Sequence, residues 1–109
     1  MKYKVDTIKN FEREAHRLKK KFPSLKIEIG QLIENLESNP FQGTPLGKGF
    51  FKIRLAIKSK GKGKSGGARV ITFVKIVKET IYLASIYDKS EKSDISVEEL
   101  NSLFGEIEE

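Results

Sequence analysis

The sequence of 109 residues contains no cysteine. Disulfides, thiolate metal sites and a cysteine nucleophile are therefore excluded, and nothing in the chain calls for an oxidising compartment. Histidine is almost as scarce, with His16 the single example. It falls well away from the apolar stripe of the first expected helix and is expected to face solvent. Neither a Ser/His/Asp arrangement nor a metal site of the usual types can be built around it. Long apolar runs are missing as well, so no membrane partner is expected. No charged-then-apolar leader is read either, and the expected location is the cytoplasm.

The most telling absence is of negative charge. Residues 38–78 hold ten Lys and Arg and not one Asp or Glu, a local charge of +10. Residues 1–37 carry +3, residues 79–109 carry −7, and the chain as a whole carries +6. Such one-sided clustering suits a surface for a polyanion, most simply nucleic acid. The plain alternative is a solvated basic face that only aids solubility. A paired-carboxylate mechanism finds no support in this region.

What is present suits one soluble α+β domain over residues 1–109, with 38% hydrophobic and 33% charged residues. Residues 2–6 alternate like a short strand. Ile8, Phe11, Ala15, Leu18 and Phe22 then fall at helical spacing, and after Pro23-Ser24 so do Leu25, Ile29, Leu32, Ile33 and Leu36. Residues 41–49 are loop chemistry. Phe51, Ile53, Leu55 and Ile57 alternate with Lys52, Arg54, Ala56 and Lys58, a strand with an apolar and a cationic face. Residues 69–78 and 80–87 form two more strands, apolar on both faces, turning at Lys78-Glu79. Ser96 with Glu99 makes a capping box for a last helix with Val97, Leu100, Leu103, Phe104 and Ile107 on one stripe. The expected order is βααβββα, with helices packed on a twisted antiparallel meander.

Between the strands, residues 59–67 form a polar Gly/Lys loop that holds Gly63-Lys64-Ser65, the tail of a phosphate-binding P-loop. A P-loop needs a glycine where Lys58 stands, and it opens onto a helix, whereas here a β-branched run follows. A nucleotide site is not supported. Gly66-Gly67 suits a turn between paired strands, with phosphate cradling as the alternative. Phe73 and Tyr82 are expected in the core.

The side chains left for chemistry are Lys52 and Arg54 on the cationic strand face, Arg69 after the loop, and Tyr87, Lys89 and Lys92 in "IYDKSEK". Cleaving an RNA phosphodiester requires a deprotonated 2′-hydroxyl, a stabilised pentacovalent phosphate and a protonated leaving oxygen. Lysines crowded by cations can serve as acid or base. Arginine's fork suits the phosphate charge, and Tyr87 could stack on a base or be an ordinary strand-end tyrosine. Plain RNA or DNA binding is the alternative.

The segments "GTPLGKGFFKIRLAIKSKGKGKSGGARVI" and "IYLASIYDKSEKSDIS" resemble the RelE/ParE superfamily of bacterial toxins, in its RelE/HigB-like branch. The resemblance extends from "YKVDTIKNFEREAHRL" to the final helix. It implies a RelE-like fold and a type II toxin–antitoxin toxin that cleaves mRNA in the ribosomal A site; with no credible metal-ligand cluster in the sequence, that cleavage is expected to need no cofactor or metal. A cognate antitoxin would hold it inactive, and the hetero-oligomer would bind operator DNA through the antitoxin. Lys52 and Arg54 match the basic strand positions at the scissile region, Arg69 the arginine on the transition-state phosphate, and Lys89 and Lys92 the late basic residues. RelE's late tyrosine is replaced here by Ile95-Ser96. Lys48, Lys58, Lys60, Lys62 and Lys64 are expected to dock ribosomal RNA, the Gly/Lys loop packing against nothing. The same fold also hosts ParE-type gyrase poisons and non-catalytic RNA-binding members.

Overall fold

The computed structural model describes residues 2–108 apart from Lys62, with Lys64 and Ser65 described by their backbone alone. In chain order the elements are β1 (Lys4–Thr7), α1 (Lys9–Lys21), α2 (Leu25–Ser38), β2 (Thr44–Gly47), β3 (Phe50–Leu55), α3 (Gly63–Gly66), β4 (Ala68–Lys75), β5 (Thr80–Asp88) and α4 (Val97–Ile107). The two helical stripes are buried as their spacing requires: Phe11, Ala15 and Leu18 on α1, and Leu25, Ile29, Leu32 and Leu36 on α2. Pro23 separates the helices because it lacks the donor that would continue α1.

The strands form one five-stranded sheet in the order β1-β5-β4-β3-β2. Strands β3, β4 and β5 make the expected antiparallel meander. The sheet is nevertheless mixed, because β1 runs parallel to β5, with Lys4 opposite Thr80 and Thr7 opposite Leu83. An alternating pattern records which faces are buried, not which way the neighbouring strand runs. Residues 41–49 also differ from a plain loop, since β2 pairs with β3 there. Pro45 and Gly47 hide it, and both are tolerated because β2 is an edge strand.

The Gly/Lys stretch is ordered into a 3₁₀ turn at Lys58–Lys60 and the short turn α3. A Cβ at Gly67 would stand 2.2 Å from the Leu55 carbonyl oxygen, so close backbone approach demands glycine there. Strand β4 stops at Lys75, and Ile76–Lys78 with left-handed Glu79 reverse the chain.

Helices α1 and α2 cover one face of the sheet and α4 crosses the other. The α4 ring of Phe104 meets Phe73 edge-on at 5.7 Å, and Phe73 lies 5.0 Å from Phe50. Phe73 is buried and Tyr82 half-buried beside it. The α4 capping box forms as its residues imply, Ser96 accepting from Glu99 and Glu99 from Ser96. Beyond the Phe50–Phe73 end, this second face carries the polar side chains of β3, β4 and β5.

Candidate nucleic-acid interface

Strand register sets the arrangement. Arg54 stands opposite Arg69, and Arg69 opposite Tyr87, so the three form one row across β3, β4 and β5. Lys52 lies two residues from Arg54 and therefore on the same face. Arg54 is exposed and, among the described residues, makes no hydrogen bond or ion pair. Arg69 is only 6% exposed, and its Nη1 donates to the Ala68 carbonyl at 3.1 Å. Lys92 completes the cluster, its ammonium 5.3 Å above the Tyr87 ring.

Tyr87 is buried, and its hydroxyl has no hydrogen-bond partner among the described residues. Lys92 lies over the ring, so in this conformation a lysine and not a base stands on that face of Tyr87. Burial, followed by nearby Asp94, pushes the phenol up to about 12 against the opposing pull of Arg69. It is therefore a proton donor at neutral pH.

Carboxylates from the acidic third of the chain also reach this face. Lys52 pairs with Asp94 at 3.1 Å and Lys92 pairs with Glu99. Both carboxyls are held below their ordinary values: Asp94 first by the Ile95 amide and then by Lys52, Glu99 first by Lys92. Glu99 was legible only as a cap, and Asp94 carried no signal. A hint was the opposite charge of two chain segments joined by a hairpin.

The remaining expected residues are dispersed. The Lys89 ammonium donates to the Ser93 carbonyl at 2.8 Å, and its backbone amide to Gly67 at 3.0 Å. Lys58 is exposed and shares with Arg54 a groove of about 600 Å³ between α2 and β3. Lys48 sits at φ 56° in the β2–β3 turn, at the other end of β3 from Arg54. Lys62 lies outside the described residues, as does the side chain of Lys64.

Lys60 corrects the expectation of a loop packed against nothing. Its ammonium pairs with Asp88, also bonds Ser90 Oγ at 3.1 Å, and stands 5.7 Å from the Phe22 ring. The Asp88 side chain is fully buried, with Lys21 3.7 Å from its second oxygen. Burial alone would raise this carboxyl, but Lys60 and the two Ser90 donors outweigh it and bring it to about 2.

The model of the RelE toxin of the RelE/RelB toxin–antitoxin system matches residues 3–105. The chain belongs to the RelE toxin family. Two solved structures are similar to it: E. coli toxin RelE in the free state, as a double arginine-to-alanine mutant, and the isolated E. coli RelE toxin. The first has 14% identity and a TM-score of 0.64, over 97% of this chain and 94% of that one. The second has 14% identity and a TM-score of 0.61, over 94% of this chain and 97% of that one. At such identity the likeness shows the RelE fold. Membership of this family makes the chain a toxin with a cognate antitoxin.

Proposed function

We propose that this RelE-family toxin is an endoribonuclease that cuts messenger RNA in the ribosomal A site by a metal-independent 2′-hydroxyl attack. The observation that carries the reading is the row Arg54, Arg69 and Tyr87 flanked by Lys52 and Lys92. In the proposed reaction the 2′-oxygen bonds to the adjacent phosphorus and gives up its proton. The bond from phosphorus to the 5′-oxygen breaks, and that oxygen is protonated. The products are a 2′,3′-cyclic phosphate and a 5′-hydroxyl. Arg69, anchored by its carbonyl contact, and Arg54 face the non-bridging oxygens, where one additional negative charge develops as the pentacovalent phosphate forms. Lys52 and Lys92 exchange protons with the attacking and leaving oxygens, Lys89 holds the Ser93 carbonyl of the segment that carries Lys92, and Tyr87 donates a hydrogen bond.

Lys48, Lys58, Lys62 and Lys64 serve docking, pairing with backbone phosphates of ribosomal RNA. The antitoxin covers the site, and the resulting hetero-oligomer binds operator DNA through the antitoxin. A gyrase poison on this fold has no need of a phosphate-centred cluster. The test incubates the toxin with preassembled programmed ribosomes in excess chelator, and separately with gyrase and supercoiled plasmid. Cleaved mRNA ending in a cyclic phosphate, or its 3′-phosphate product, is expected. Strict magnesium dependence of the chemical step would sink the mechanism, and gyrase poisoning with intact mRNA would sink the function.

A further inference from the structure

No acid occurs within residues 38–78, yet in the folded protein carboxylates stand on cations of that region's face. Asp94 Oδ1 lies 3.1 Å from Lys52 Nζ, and Glu99 pairs with Lys92. Both acids come from the segment that leaves β5 and enters the first turn of α4. This segment is fastened locally: Lys89 holds the Ser93 carbonyl at 2.8 Å, and Ser96 N donates to Glu99 at 2.9 Å. The Asp94 side chain is 64% exposed and, among the described residues, bonds only Lys52 and the following amide of Ile95. It buries nothing and joins no part of the core. A carboxylate oxygen at this distance from a lysine takes the place that a phosphate oxygen would take on the same ammonium.

We propose that Asp94 and Glu99 form an anionic gate, a pair of built-in phosphate surrogates that close Lys52 and Lys92 to loosely held polyanions. The ligand class rests on the RNA reading above. Solvent-accessible ion pairs contribute little, so each contact is weak enough to be displaced by a phosphate that is well positioned. Free RNA must compete with a tethered carboxylate for each lysine. RNA held in register by a larger partner meets a smaller obstacle, because its phosphates arrive already placed. The gate therefore selects for presented RNA over free RNA.

The test measures binding of a non-cleavable 2′-O-methyl oligoribonucleotide, and separately of pyrophosphate, to the purified toxin. Asp94→Asn should tighten binding by about two- to fivefold, the equivalent of one exposed pair. It should also steepen the salt dependence of RNA binding, by about 0.7 in log–log slope for the one lysine released. Glu99→Gln keeps an acceptor for the α4 cap and should act in the same direction. Glu98→Gln, an equal change of net charge on an exposed neighbour in α4, should give a smaller gain. In a Lys52→Gln background the Asp94→Asn gain should vanish. A gain no larger than that of Glu98→Gln, or one that persists without Lys52, overturns the gate. RNA that binds every variant equally removes the gate and leaves the RNA reading standing. A Lys52-dependent gain for pyrophosphate, with no RNA bound by any variant, keeps the gate and removes the RNA reading.

Discussion

Arg69 and Tyr87 face each other across β4 and β5, and each has a measurable signature. Arg69→Ala should lower ribosome-bound cleavage by about 10²–10³, the usual worth of one transition-state donor, while the protein stays folded and antitoxin-bound. Full toxicity of that variant at matched expression would remove Arg69 from the mechanism. Tyr87 should ionise late in an absorbance titration, since burial pushes its phenol up to about 12. Replacing it with Phe should delete that late step and no other. The polar row was legible in the sequence because alternation alone puts Lys52 and Arg54 on one side of a strand. Arg69 was legible through its place after the glycines. The burial of Tyr87 was not, because it depends on contacts such as Lys92 over its ring that no local pattern predicts.

At the level of elements, the Gly/Lys stretch is an anchor as well as a surface. Lys60 ties its 3₁₀ turn to the buried Asp88 at the end of β5, one residue beyond Tyr87. The folded carboxyl, at about 2, lies below its unfolded value of about 3.9, so the contact stabilises fully above about pH 4. That contribution, about 2 kcal/mol, drains away as pH falls from about 4 toward 2. Urea unfolding across this range should show the loss in the wild type and little of it in Asp88→Asn. Lys60→Gln leaves the buried carboxylate with Lys21 as its one nearby cation among the described residues, beside the two Ser90 donors, and should destabilise by about 3 kcal/mol at neutral pH. An unchanged urea midpoint for Lys60→Gln would return this lysine to the surface. Both helical stripes and the α4 cap could be seen in advance, since each is a local pattern. Strand β2 and the parallel placement of β1 could not, because proline and glycine hide the one and strand direction leaves no periodic trace of the other.

Across the whole molecule the charge is segregated along the chain and partly reunited by folding. Strand β5 runs back along the basic β4, so the segment following it delivers Asp94 and Glu99 to the cations, while Lys58 keeps its exposure beside Arg54. Lys58→Gln should weaken ribosome association and flatten its salt slope by about 0.7–0.9, with an unchanged urea midpoint. An unaltered salt slope would show that this lysine meets no phosphate. The excess of positive charge was legible from composition. Its partial neutralisation was not, since it comes from residues far apart in sequence.

The parallel pairing of β1 with β5 also has a consequence in time. Lys4 cannot meet Thr80 until residue 80 has been made, and the row through Arg69 likewise waits for Tyr87. Contacts between such distant residues close slowly, because the intervening chain must be ordered before they form. During synthesis the helical hairpin can form early, but the complete sheet and its cation row come later. A ribosome translating this chain is thus separated from the finished toxin by a delay built into the order of the strands, an interval in which an antitoxin can already be waiting.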